Sequence, residues 1–106
     1  MGRIQSTGIR IRAKKILKHI INNDVFSESA WEEYLYWQSQ DKKTLKKINA
    51  LLKTIQRTPF SGDGKPEPLK GNKKWSRRIN EKDRLVYNVD GEFIHIIQCK
   101  GHYQDK

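Results

Sequence analysis

Glu67 stands between two prolines in Gly64-Lys-Pro-Glu-Pro-Leu69. The pyrrolidine rings fix the neighbouring dihedrals, so this carboxylate is held at little entropic cost on a loop that would otherwise be mobile. It is the only acid between Asp63 and Glu81, among many cations. Such a group suits a general base, and it equally suits a surface residue of a proline-rich loop. In Trp75-Ser-Arg-Arg-Ile79, strand alternation sends Arg77 and Arg78 to opposite faces, and Arg84 opens the next strand. Guanidinium groups bind phosphate bidentately and keep their charge, which fits an RNA backbone and a phosphorane-like transition state. Strand-edge cations that discourage aggregation have the same pattern. Near the end, Gly101-His102-Tyr103 offers an imidazole able to protonate a leaving 5′-oxygen and a tyrosine able to stack on a base. An exposed tail reads the same way.

The remaining candidates point elsewhere. His95, between Ile94 and Ile96, is expected to be structural, and His19 belongs to the N-terminal segment. Cys99 is the single cysteine and lies in an apolar run, so a buried reduced thiol is expected. No metal-ligand spacing, phosphate-cradling glycine loop or Ser-His-Asp set occurs, so the expectation is no metal and no cofactor.

These residues need elements to hold them. Helical signals begin at Ser27, and Ser29-Ala-Trp-Glu32 has capping-box spacing. Trp31, Tyr34 and Leu35 then share a face. Asp41 can cap a second helix in which Leu45, Ile48, Leu52 and Ile55 recur at helical intervals and Lys42, Lys43, Lys46, Lys47 and Lys53 take the other faces. Thr58-Pro59 ends it. Between Phe60 and Lys74, glycines and prolines argue against any regular element. Trp75–Ile79, Arg84–Val89 and Phe93–Cys99 read as strands, the last one central, with Asp90-Gly91 as a hairpin turn. A short strand at Asp24–Phe26 is weakly marked. The fold class is α+β: two N-terminal helices, a helical hairpin, packed on a small, twisted antiparallel sheet.

A chain of 106 residues allows one domain and excludes a two-domain enzyme with a deep cleft. Residues 1–21 read as a basic N-terminal appendage, with six basic residues and no acid, and residues 22–106 as a single domain. Twenty-two Lys and Arg against twelve Asp and Glu leave a net charge of +10. The segment Lys42–Arg78 carries twelve basic and two acidic residues, so the positive field is local and nucleic acid is the leading partner. No stretch approaches the roughly 18 apolar residues of a membrane span, and no signal peptide is recognisable, so a cytoplasmic protein is expected.

Taken together, Trp31-Glu-Glu-Tyr-Leu-Tyr-Trp-Gln38, Lys46-Lys-Ile-Asn49, Arg57-Thr-Pro-Phe60, Gly64-Lys-Pro-Glu-Pro-Leu-Lys70, Trp75-Ser-Arg-Arg-Ile79, Arg84-Leu-Val-Tyr87 and His102-Tyr103 resemble the Txe/YoeB family of bacterial addiction-module toxins, within the RelE-like group. The likeness runs from about Val25 to Tyr103. It implies an endoribonuclease that enters the A site of the 70S ribosome and cuts mRNA during translation. On that resemblance Glu67 is the general base, His102 the general acid, Arg84 the phosphate-stabilising arginine and Tyr103 the terminal aromatic, while Lys70, Arg77 and Arg78 contact RNA. The implied chemistry is metal-free attack of a 2′-hydroxyl on the adjacent phosphate. The implied partners are mRNA, the ribosome and a YefM-like antitoxin with an acidic tail, and homodimerisation is a family tendency.

The chain departs from the family pattern in four places. The N-terminal segment is extra, Gln104-Asp-Lys106 extends beyond His-Tyr, the loop at Gly71-Asn-Lys-Lys74 is short, and Lys82 stands where an acid is common. The alternatives to the nuclease are a non-catalytic RNA- or ribosome-binding module regulated by an antitoxin, and a ribonuclease active on naked RNA.

Overall fold

The computed structural model describes residues 19–70 and 73–102. Strand β1 (Ile20–Ile21) turns through Asn22, at φ 59°, into β2 (Asp24–Phe26). Asparagine tolerates that left-handed conformation better than most residues with a side chain. Phe26 is buried, and the backbone N–H of Ser27 donates to the carbonyl of Ile96 at 2.9 Å. The chain therefore leaves the sheet at Ser27, whose hydroxyl accepts from the N–H of Ala30 at 3.1 Å and caps α1 (Glu28–Gln40). The expected capping box at Ser29–Glu32 is displaced by two residues because the sheet decides where the helix can begin.

Asp41 joins the helices alone. Its N–H donates to the carbonyl of Trp37 at 2.9 Å, closing α1, and its carboxylate accepts from the N–H of Thr44 at 3.1 Å, opening α2 (Lys42–Arg57). Ile48, Leu51, Leu52 and Ile55 are buried, while the five lysines of α2 face solvent. The inward stripe of α1 differs from the expected one. Ala30, Glu33 and Trp37 point at the sheet, whereas Leu35 is 41% exposed.

Strands β3 (Glu67–Pro68), β4 (Trp75–Arg78), β5 (Arg84–Asp90) and β6 (Phe93–Gln98) complete a six-stranded sheet in the order β1-β2-β6-β5-β4-β3. Two expectations change here. The helices are not the first elements, and the sheet is mixed, because β2 pairs parallel with β6 at Asp24–Ile94, Val25–His95 and Phe26–Ile96. A parallel pair needs a long crossover, which the helices and β3–β5 supply. Two- and three-residue strands are too short to leave a period-two signal. The same brevity hides β3, which forms where no regular element was expected: Glu67 pairs with Ser76 and Pro68 with Trp75. Proline is tolerated there because β3 is the edge strand.

One face of the sheet carries the core. Leu85, Tyr87, Ile94 and Ile96 meet both helices, and Cys99 lies buried among them. Asp24 is also buried, accepting from Gln56 Nε2 at 3.0 Å, and burial pushes its carboxyl up to about 6. Of the N-terminal segment, His19 packs edge-on against Trp31 and Ile20–Ile21 join the sheet; residues 1–18 lie outside the described residues.

Candidate active site

Arg77 organises the loop that leads into β3. It is fully buried, on the helix side of β4. Its Nε donates to the Tyr87 hydroxyl at 3.0 Å, Nη1 to the Asp63 carbonyl at 2.8 Å, and Nη2 to the carbonyls of Thr58 and Ser61, both at 2.7 Å. Tyr87 passes the chain on, donating to the Pro59 carbonyl at 2.7 Å. Gly64 closes the loop at φ +88°, where a Cβ would meet Leu51 at 2.9 Å and Arg77 at 3.1 Å; its carbonyl accepts from the N–H of Arg78 at 2.7 Å. The expected contact between Arg77 and RNA is therefore corrected. Its guanidinium is inside, spent on main-chain carbonyls, because β-pleating turns every second side chain of β4 into the core.

The same pleat turns the neighbours outward. Glu67 lies opposite Ser76, Ser76 is two residues before Arg78, and Arg78 lies opposite Arg84. These side chains share the face of the sheet away from the helices. Strands about 4.8 Å apart with a rise of about 3.3 Å per residue put Cα of Glu67 and of Arg84 about 12 Å apart. Ser76 and Val86 are paired between them, and both are buried.

Residues Ile79–Asp83 fold into a tight turn that fixes Arg84. Asn80 Oδ1 accepts from the N–H groups of Lys82 at 2.8 Å and Asp83 at 2.7 Å. Arg84 Nη1 donates back to the carbonyls of Asn80 at 3.0 Å, Asp83 at 3.3 Å and Glu81 at 3.4 Å. Lys82 itself is exposed. The strand exit comes alongside: the N–H of Arg84 donates to the Gly101 carbonyl at 2.9 Å, so His102 is one residue from a direct main-chain bond to Arg84. His102 is exposed.

Glu67, Arg78 and Arg84 thus share one face of the sheet, and His102 follows the residue whose carbonyl bonds Arg84. Lys70 is exposed beyond β3, and Tyr103 lies outside the described residues. His95 is half-exposed on the helix-free face, 3.5 Å from the Asp90 carboxylate. A cleft of about 330 Å³ beside Asp24, Tyr34, Asn49 and Gln56 sits at the opposite edge of the sheet. Among the described residues no three His, Cys, Asp or Glu side chains gather as a metal-ligand set. Glu33, Asn80 and Asp83, which hold this end of the sheet together, had no sequence signal beyond being polar.

Known proteins share this fold. Residues 26–103 match the family model described as a YoeB-like toxin of bacterial type II toxin-antitoxin systems. Toxin YoeB of Escherichia coli K12 is 54% identical over 81 residues, covering 74% of this chain and 96% of that protein. The YoeB dimer from Staphylococcus aureus has 54% identity and a TM-score of 0.73, over 76% of this chain and 97% of that one. The YoeB-YefM complex from the same organism has 49% identity and a TM-score of 0.74, over 79% of this chain and all of the other. Fold, motif order and similarity agree: the chain belongs to the YoeB-like toxins of bacterial type II toxin–antitoxin systems.

Proposed function

We propose that this toxin is a ribosome-dependent endoribonuclease that cuts mRNA in the A site and so stops translation. The register of β3, β4 and β5 carries the reading, since it aligns Glu67, Arg78 and Arg84 on one face while Gly101 ties His102 to Arg84. In the proposed step the Glu67 carboxylate takes the proton of a 2′-hydroxyl. The 2′-oxygen attacks the adjacent phosphorus, and the bond to the 5′-oxygen breaks. Arg84 and Arg78 bind the phosphate and stabilise its developing charge. His102 gives its proton to the departing 5′-oxygen. The products are a 2′,3′-cyclic phosphate and a 5′-hydroxyl, and the step draws only on protein side chains.

Tyr103 completes this site by stacking on a base next to the cut, and Lys70 meets the RNA backbone. An open, shallow face does little to orient a flexible RNA, and orientation is worth many kcal/mol. The ribosome would supply it by presenting the codon. The chain divides into an N-terminal appendage, residues 1–21, and a single toxin domain, residues 22–106. The protein works in the cytoplasm, where ribosomes are; no helix among the described residues is long and apolar enough to cross a membrane. A YefM-like antitoxin binds the toxin, as YefM and YoeB form a complex, and holds it inactive, and the free toxin pairs as in the YoeB dimer.

The test is incubation of the purified protein with mRNA, with and without programmed 70S ribosomes, and mapping of the new 5′ ends. The expected result is cleavage only on ribosomes, within the A-site codon, abolished in His102→Ala. Equal cutting of naked RNA would make it a free ribonuclease. Ribosome binding without cutting would make it an inert binding module.

A further inference from the structure

The geometry points to Glu33 and Asp83 as positioning residues for His102, acting through the main chain of Cys99, Lys100 and Gly101. The inference rests on His102 being the general acid of the proposed nuclease.

The last strand ends at Gln98, and the four residues that follow lie outside any regular element, so no ladder holds them. Side chains do so instead. Helix α1 grips Cys99 three times along its inward stripe. Glu33 Oε1 accepts from the N–H of Cys99 at 2.7 Å, Trp37 Nε1 donates to the carbonyl of Cys99 at 2.8 Å, and the thiol donates to the Ala30 carbonyl at 3.5 Å. From the other side Asp83 Oδ1 accepts from the N–H of Gly101 at 2.7 Å. Gln98 Nε2 and the N–H of Arg84 both donate to the carbonyl of Gly101, at 3.0 and 2.9 Å. The segment turns at Gly101, φ +84°, a conformation that suits glycine, and delivers His102.

Two carboxylates therefore bind the main-chain N–H groups of Cys99 and Gly101 just before the imidazole. Burial pushes Glu33 above the ordinary carboxyl range, and the amide of Cys99 and the positive charge of Lys100 pull it back. Carboxylates desolvated to hold an irregular segment cost free energy that a plain loop would not require. What the arrangement supplies is precision. Asp83 also presents its carbonyl to Arg84 Nη1, so one residue sets both the general acid and the phosphate-binding arginine. A displacement of about 1 Å at such a group costs about 10²-fold in rate.

The experiment uses the full chain on programmed ribosomes with two mRNAs, one natural and one whose scissile 5′-oxygen is replaced by bridging sulfur. A thiolate leaves without a proton, so cutting of the sulfur mRNA does not need the acid. The inference expects Asp83→Ala and Glu33→Ala to lower kcat about 10²-fold on the natural mRNA at little change in KM. On the sulfur mRNA both should come within a few-fold of wild type, as His102→Ala should. Asp83→Asn and Glu33→Gln, which keep an accepting oxygen, should recover most of the rate on the natural mRNA. Losses of equal size on both mRNAs would make these residues merely structural and overturn the inference. Variants as active as wild type would overturn it too, with the nuclease reading intact. A wild-type protein that cuts neither mRNA on ribosomes would remove the nuclease reading and this inference together.

Discussion

Arg77 and Arg78 are adjacent cations with opposite fates. Arg77 donates four hydrogen bonds inside the protein, while Arg78 is exposed on the face that holds Glu67. Removing a buried charge-assisted donor leaves carbonyls unpaired at a cost of roughly 1.5–3 kcal/mol per bond, softened by relaxation. Arg77→Ala should therefore lower stability by about 3 kcal/mol or more, read as a fall in the urea midpoint. Arg78→Ala should leave that midpoint within experimental error and slow RNA cutting instead. Asp24 gives a second single-residue prediction. Its carboxyl is pushed up to about 6 from 3.8, so the folded state binds its proton more tightly than the unfolded state does. Stability should fall as pH rises from about 4 to about 6 and then level off, because the charged form is the one that burial penalises. Asp24→Asn keeps an oxygen for Gln56 and should abolish that slope, gaining about 2 kcal/mol at pH 7. Urea titrations of both proteins from pH 4 to 7 check the sign.

At the scale of elements, the two ends of the sheet have different tasks. β3 carries Glu67 at one edge, and β1 closes the other by covering β2. The chain before Phe26 lies outside the family match, so β1 is an addition to a sheet that the matched region builds without it. Deleting residues 1–21 should leave ribosomal cleavage within about twofold, since β1 is five strands from β3. It should also remove the His19–Trp31 edge contact, 5.3 Å between centroids, and uncover the edge of β2. Aromatic pairs contribute about 0.5–1.5 kcal/mol and a bare edge invites pairing with another chain. A lower melting temperature with concentration-dependent self-association, seen by scanning calorimetry and light scattering, is the expected outcome. Much at this scale was legible in the sequence. Asp41, the α2 stripe and Thr58-Pro59 each act through neighbours a few residues away, and each stands as read, while the hairpin turn falls one residue later than read, on Gly91-Glu92, because Asp90 pairs with Phe93. The inward face of α1 was legible in part: Trp31 and Tyr34 pack against the core as read, whereas Glu33 points inward to meet the amide of Cys99, more than sixty positions on.

For the whole molecule, charge is arranged in two layers. The lysines of α2 cover the helical side, while Arg78 and Arg84 lie on the other side of the sheet. The basic run therefore does not line the proposed site as a whole, and on the proposed function it would meet the ribosomal RNA around that site. Affinity for ribosomes should fall steeply with salt. Replacing Lys43, Lys46 and Lys53 by Ala should lower the log–log salt slope by about one for each lysine that meets a phosphate, and leave kcat on saturating ribosomes unchanged. Ribosome co-sedimentation over a salt series, beside single-turnover cleavage, separates the two effects.

The sequence by itself determined the helices, the main strands, the turn residues, the charge and the motif set from Trp31 to His102, because each depends on short-range dihedral preference, periodicity or composition. Tertiary structure alone decided the parallel pairing of β2 with β6, the burial of Arg77 and the grip of Glu33 and Asp83 on the strand exit. Those depend on which groups meet across the chain. A residue's type says that it can donate or accept, and only the fold says to whom.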